Sequence, residues 1–517
     1  MKTESNAKKI DAGIRIILLF ALIDLLLHLY SNAFANYGIF RDEFYYIACS
    51  KRLAAGYVDQ PPFSIYILAV SRFLFGDSLF AIRLIPAISS ALTVYVTGLI
   101  AKKLNGGNTS IVFACLALIA APIFLGVNTI YSMNTFDWLL SAFTALLLIK
   151  IIIEKKNILW IWLGIVLGIG LLNKVGFLWL GFGTALGLIF TKQRGYLKTK
   201  WPYIAGIIAF VIFSPFIFWN MTHNWAHLEF IRNATSEKYS SLNAVTFLTG
   251  LFITLNPFTV FIWLAGLYYF FFNKEGKKYR LLGYMFLVSL LILLINGHSK
   301  PEYLAPEIPM LFAGGGVIFE KWTSARSLKW LKFALPAIIA ISGIVFIPLA
   351  LPVLPVKTFI NYSEKLGMKP ESSEHKKLEK LPQFYADMFG WKNMAATVAN
   401  VYRSLSPDEK QRAVIFAQNY GEAGAMEYYK NLYGLPRVIS GHNNYWLWGY
   451  GKNVHDPIII VIGGSKENHL KSCDSVKTAA IIRSEYAMPY ETDLPVYICS
   501  GLKYPLSEIW TKVKHYD

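Results

Sequence analysis

The chain has 517 residues, 55% of them hydrophobic and 16% charged, with a net charge of +18. That charged share is well below the ~25% of soluble domains, and apolar runs recur near the ~20 residues that cross a bilayer. Together they exclude a soluble globular protein and read as a polytopic α-helical membrane protein. The basic residues sit in short clusters between the apolar runs, a placement that reports membrane topology and argues against a nucleic-acid partner.

The opening MKTESNAKKIDAGIR runs into an apolar stretch with no small-residue cleavage pattern, so a retained first helix is expected. About eleven transmembrane helices are expected, near 15–35, 80–101, 108–127, 137–153, 158–172, 176–191, 202–220, 245–271, 280–296, 303–319 and 331–354. Lys102-Lys103, Glu154-Lys155-Lys156, TKQRGYLKTK (191–200), NKEGKKYR (273–280) and EKWTSARSLKWLK (320–332) fall on one side, joined by Lys8, Lys9 and Arg15. The positive-inside rule makes that side cytoplasmic. The N-terminus is then inside. The first loop (36–79), the loop at 221–244, the HSKPEY turn and everything after about 355 lie outside, on the periplasmic face of a bacterial inner membrane.

The first loop, NYGIFRDEFYYIACSKRLAAGYVDQPPF (36–63), concentrates charge among aromatics. DEFYYIACSKRLAAG reads as an amphipathic segment on the membrane surface, with Phe44, Ile47, Ala48 and Leu53 toward lipid or core and Lys51 and Arg52 toward water. Asp42 and Glu43 open it. A helix N-terminus favours an acidic residue, which accounts for one of the two. It does not account for Asp59 before a Pro-Pro pair, nor for Asp137 at the outer end of the fourth span.

Cations are expected at the same level: Arg41, Lys174 in LLNKVG (171–176), and His298 with Lys300 in NGHSKPEYLAPEIP. Lys174 admits two readings, a snorkelling anchor or a functional cation at membrane depth. Cations at headgroup level grip a phosphate, and carboxylates among them serve as a base for a hydroxyl or amine. The set suits a reaction between a phosphorylated membrane lipid and a polar acceptor. A transporter more often places its charges within the spans, which hold few here, Asp24 and His28 in the first span among them.

In the loop after the seventh span, His223 and His227 lie four apart, followed by Glu229. Two such histidines share a helix face, but the HExxH order of zinc hydrolases is missing. A structural or acceptor-facing role is favoured over a divalent-metal site.

After Pro355 the composition turns polar. Strands are expected at 412–418, 437–441, 457–464, 478–484 and 495–501, and helices at 391–405 and 421–433, which makes a small soluble α/β domain. GEAGAMEYY (421–429) reads as a tight strand-to-helix turn in preference to an anion site. The domain division is 1–355, transmembrane, and 356–517, extracytoplasmic. Cys473 and Cys499 both fall in the outer domain, where an oxidising compartment permits a disulfide; spacing alone does not decide whether they pair.

The ordered set is an acidic pair after span one, D-x-P-P in the same loop, an Asp opening span four, an N-K-x-G hairpin, and then K-x-E-Y-x-x-P. It resembles bacterial members of the protein mannosyltransferase-like group of GT-C glycosyltransferases, which includes the aminoarabinose transferase that modifies lipid A. FWNMTHNWAHLEFIRN (218–233) is similar to their loop after span seven. The likeness covers most of 36–320 and extends more loosely into the tail. It implies an inverting transferase that takes a hexosyl or pentosyl group from a polyprenyl-phosphate donor on the outer face. The acceptor would be lipid A, a protein or another envelope glycan, and no nucleotide cofactor is needed. By the same resemblance Asp42 is the base. Glu43, Asp59 and Asp137 shape the donor and acceptor pocket, and Arg41, Lys174, Lys300 and Tyr303, with His298 beside them, lie near the donor phosphate. One departure stands out: many relatives carry a basic residue before the Pro-Pro pair, where this chain has Gln60. The competing readings are a transporter or flippase of polyprenyl-linked sugars, and an envelope-binding protein anchored by its spans.

Overall fold

The computed structural model describes residues 11–35, 37–238, 242–370, 377–451 and 456–517. Lys8 and Lys9 of the cytoplasmic charge count lie outside the described residues. The chain divides into two compact units. One comprises Met1–Phe34, Arg83–Ser214 and Ser241–Val353; the other comprises Ala35–Ile82, Pro215–Ser240 and Leu354–Asp517.

The first unit is helical, because an apolar segment in lipid must satisfy its backbone within itself. Each of the eleven expected segments contains helix. Among the described residues, six helices are long and apolar enough to cross a membrane: Ala12–Phe34, Leu79–Lys103, Met133–Glu154, Trp201–Thr222, Gly276–Asn296 and Arg326–Ala350. The expected span at 245–271 is instead two helices, Ala244–Thr254 and Pro257–Phe271, bent by 93°. Asn256 holds positive φ at that break and Pro257 follows it. Counting the bent pair as one span gives seven. The expected spans at 108–127, 158–172 and 176–191 hold shorter apolar helices, Asn108–Ile119, Ile158–Asn173 and Phe177–Phe190. At 1.5 Å per residue these rise only about 18–24 Å, short of the ~30 Å hydrocarbon layer.

Small residues bring these helices together, as lipid-embedded packing requires. The Val260–Phe271 helix lies against Ile308–Ser324, where a Cβ on Gly266 would overlap the Leu311 carbonyl and one on Gly315 the Ile262 carbonyl. Trp138, Phe113, Phe312 and Met285 are among the fully buried side chains of the surrounding core.

The second unit is built on a five-stranded sheet of order β2-β1-β3-β5-β4, with β1 Ala413–Ala417, β2 Arg437–Ser440, β3 Ile458–Ile462, β4 Cys473–Ile482 and β5 Leu494–Leu502. β1 runs parallel to β2 and β3, and β5 runs antiparallel to β3 and β4. β3 is buried along its whole length, as its unbroken IIIVI predicts for a central strand. Cys473 and Cys499 are both buried, as thiols, in one apolar cluster with Val476 and Tyr497. The β4–β5 register sets Val476, not Cys473, opposite Cys499.

The segment expected on the membrane surface is an interior helix of this unit. Arg41–Ser50 buries every residue except Asp42, and of the four residues assigned to its apolar face only Leu53, beyond its end, is exposed. The helix packs on Tyr420–Tyr433. Phe44 meets the rings of Trp391, Tyr428 and Tyr429. The GEAG sequence explains the close approach: a Cβ on Gly421 would overlap the Arg41 side chain, and one on Gly424 would meet Phe44 at 2.8 Å. The strand-to-helix turn before it is closed by Asn419, whose Oδ1 accepts from the Glu422 N–H at 2.9 Å. Glu422 returns the bond by accepting from the Gln418 N–H at 2.7 Å.

Candidate active site

The two adjacent carboxylates have different surroundings. Glu43 is the third residue of its helix and wholly buried, and its Oε2 accepts from the Phe40 N–H at 2.8 Å. It therefore caps the helix, satisfying one of the N–H groups that a helix start leaves unpaired. Asp42 keeps 37% of its side chain exposed. Its Oδ1 accepts from the Tyr420 hydroxyl at 2.8 Å and from Arg41 Nε at 3.2 Å.

Arg41 is fixed in turn. Its guanidinium donates to the Tyr490 hydroxyl at 2.8 Å and lies 3.8 Å from Asp387 Oδ2, while Tyr490 donates to Asp387 Oδ1 at 3.3 Å. Behind this group Asn419 Nδ2 bridges the buried Glu422 and Glu491, at 3.1 and 2.9 Å. Burial pushes both of these carboxyls up, Glu422 to about 8.

Asp59 accepts from the Tyr45 hydroxyl at 2.9 Å. The Tyr45 ring lies 5.0 Å from that of Tyr420, so two adjoining tyrosines connect Asp59 to Asp42. Asn444 Oδ1, 3.0 Å from the same hydroxyl, also accepts from the Val58 N–H at 2.7 Å and pins the D-Q-P-P turn. Gln60 is fully buried, and neither carboxamide atom has a hydrogen-bond partner among the described residues. An orphaned buried amide costs about 1–3 kcal/mol. Gln60→Leu is therefore expected to keep or raise thermal stability while it lowers activity. A fall in melting temperature with turnover unchanged would return Gln60 to a packing role.

Within the other unit, Lys174 follows the Ile158–Asn173 helix. Its Nζ donates to Asn134 Oδ1 at 2.9 Å, sits 3.4 Å from Asp137 Oδ2 and lies 4.6 Å from the centre of the Tyr303 ring. Asn134 and Asp137 are three residues apart on one face of the Met133–Glu154 helix. Asn173 anchors the turn by donating to the Met133 carbonyl at 2.8 Å. Asp137, Lys174 and Tyr303 thus form one group. Glu307, also buried, lies close enough to Asp137 for their charges to interact. Lys300 begins the Pro301–Tyr303 turn. His298 Nδ1 stays by the Asn296 carbonyl, at 3.2 Å on the exterior.

The residues considered for a metal are otherwise engaged. His223 stacks on Trp219 and its Nδ1 lies 2.8 Å from the Trp219 carbonyl. His227 Nδ1 lies 2.9 Å from the Val58 carbonyl, and burial pulls its imidazole down to about 4. Glu229 pairs with Lys514 at 2.8 Å. A different set, His442, His515 and Asp517, brings candidate ligand atoms within 4.8 Å of one another. There, His442 Nδ1 accepts from the Tyr420 N–H at 3.3 Å and Nε2 lies 3.0 Å from the Asp517 carbonyl oxygen, so backbone groups engage both ring nitrogens.

Sequence reasoning missed Tyr420, Tyr490, Asp387 and Asn134. Tyr420 alone carried a local signal, since it precedes the GEAG run. Tyr420→Phe is expected to lower kcat about tenfold to a hundredfold with KM little changed, from losing one hydrogen bond to a charged group worth ~1.5–3 kcal/mol. An unchanged kcat would remove Tyr420 from the positioning of Asp42.

Residues 59–219 match the family described as dolichyl-phosphate-mannose-protein mannosyltransferase, a stretch that holds Asp59, Asp137 and Lys174. The fold is similar to that of ArnT from Cupriavidus metallidurans bound to undecaprenyl phosphate. The TM-score is 0.60 at 14% identity, covering 93% of this chain and 97% of that one. The apo state of the same protein gives 0.60, 14%, 94% and 98%. The Archaeoglobus fulgidus oligosaccharyltransferase in its apo form matches with a TM-score of 0.52 at 11% identity, over 84% of this chain and 65% of that one. A comparison with curated proteins by sequence gives no match. The fold is thus that of the multi-pass GT-C membrane proteins, and residues 59–219 carry the mannosyltransferase family's pattern. The likeness to ArnT runs over nearly the full length of both chains.

Proposed function

We propose that the protein transfers a sugar from a polyprenyl-phosphate donor to an acceptor of the bacterial envelope, on the outer face of the inner membrane. The observation that carries this reading is the asymmetry of the acidic pair: Glu43 is sealed into a helix cap, and Asp42 is held by Tyr420 and Arg41 with its carboxylate partly open. Two similar folds add support, ArnT bound to undecaprenyl phosphate and the archaeal AglB in complex with an inhibitory peptide and a dolichol-phosphate (TM-score 0.50, 11% identity).

In this reading Asp42 removes the proton from the acceptor hydroxyl as its oxygen bonds to the anomeric carbon. The bond from that carbon to the lipid phosphate breaks, polyprenyl phosphate leaves with the electron pair, and the configuration inverts. Charge grows on the departing phosphate, so fixed cations do most to lower the barrier. Lys174, with Lys300 and Tyr303, is assigned to that phosphate; Arg41 both orients Asp42 and adds positive charge. Asp59 and Asp137 orient donor and acceptor. The basic clusters between the spans support an N-terminus inside and residues 356–517 outside. Mass spectrometry of envelope lipids and proteins with and without the gene tests the function: a sugar-sized mass lost from one envelope species is expected, and identical envelopes would contradict it.

A further inference from the structure

The second unit carries a cleft at the other end of the Arg41–Ser50 helix from the acidic pair. It has a volume of about 380 Å³ and is lined by Lys51, Arg52, Lys430 and Arg437, with Glu427 and Trp448 among them. This lies within the range of small-molecule sites. Four cations face one carboxylate, and that carboxylate is taken: Arg52 grips Glu427 through both guanidinium nitrogens, one bond being 3.0 Å, and lies 4.2 Å from the centre of the Trp448 ring. Among the described residues no carboxylate is ion-paired with Lys51, Lys430 or Arg437.

Part of this charge has a simple cause. Lys51 caps the end of the Arg41–Ser50 helix and Lys430 lies in the last turn of Tyr420–Tyr433, where cations complement the helix dipole. Arg437, at the start of β2, has no such reason. Its guanidinium rests against Gly451, whose φ of +101° and missing Cβ make the space for it. The cleft is therefore a positively charged concavity with a rigid aromatic and arginine wall.

We propose that this cleft binds an anionic saccharide, one bearing phosphate or carboxylate groups, as the charged part of the acceptor; this rests on the transferase reading above. Guanidinium and ammonium groups recognise both kinds of anion through charge-assisted hydrogen bonds. A single helix joins the cleft to the candidate base. Asp42 and Lys51 are nine residues apart along it, about 14 Å at the helical rise. An acceptor seated by its anionic groups in the cleft would hold its charge about one helix length from Asp42.

The test is calorimetric binding to the purified full-length protein in detergent, without donor, using trigalacturonic acid, a bisphosphorylated glucosamine disaccharide and neutral maltotriose. At least one anionic probe is expected to bind ten times or more tighter than maltotriose and to weaken as salt is raised; the stronger of the two identifies the anion. The double variant Lys430→Gln/Arg437→Gln should weaken that probe about tenfold, while Lys430→Arg/Arg437→Lys keeps it. Equal binding of all three probes, binding of none, or wild-type affinity in the Gln variant would overturn the proposal. Because donor is absent, the outcome is independent of turnover. Anion binding without transfer fails only the transferase reading, and transfer without anion binding fails only this one.

Discussion

Asp42→Asn lowers sugar transfer about 10²–10⁴-fold with donor affinity unchanged. Asparagine keeps the shape of the side chain, and its carbonyl oxygen still accepts from Tyr420 and Arg41 (2.8 and 3.2 Å in the wild type). What disappears is the capacity to take a proton, and loss of a positioned base typically costs this much. The donor phosphate is assigned to cations, so its binding survives. Glu43→Gln, by contrast, acts through the helix cap. Its amide oxygen still accepts from the Phe40 N–H, and activity falls far less than in Asp42→Asn. Turnover and donor binding measured side by side on the two variants separate these roles. Wild-type turnover by Asp42→Asn would shift the base to Asp59 or Asp137.

Lys174→Ala weakens donor binding about tenfold to a hundredfold. One charge-assisted contact to phosphate contributes roughly 1.5–3 kcal/mol. The geometry adds a second consequence. Lys174 is 3.4 Å from Asp137, whose side chain is 9% exposed, and removing one partner of a buried pair leaves the other charge uncompensated. The variant is therefore also less stable. Pairing it with Lys174→Ala/Asp137→Asn, which restores charge balance, divides the two effects: stability recovers and donor affinity does not. Full recovery of donor affinity in the double variant would make Lys174 a structural anchor.

The extent to which the chain can be read from its sequence follows from the range of the forces involved. The strands around RAVIFAQ and PIIIVIGG and the helices at 391–404 and 420–433 lie close to where period and turn residues place them, because those signals are local. The break at Asn256 and the short helices near 158–190 are less legible, since hydropathy alone does not distinguish a straight span from a bent one. The first-loop helix departs from its expected place for a tertiary reason. Its aromatic residues fit a membrane surface equally well, and only the small Gly421 and Gly424, nearly 380 residues away in sequence, create the surface that buries it. The division of labour within the acidic pair is half visible, as helix starts favour acids. Which of Asp42 and Glu43 remains open depends on Tyr420, a contact no spacing rule predicts.

The measurement that tests the central claim most directly is the release of free polyprenyl phosphate by the purified protein in liposomes, supplied with a polyprenyl-phosphate sugar and an envelope acceptor fraction. A transferase that uses Asp42 as its base releases polyprenyl phosphate only when acceptor is present, in step with sugar appearing on the acceptor, and Asp42→Asn stops both. Movement of the intact lipid-linked sugar across the bilayer, with no polyprenyl phosphate released, would contradict the account.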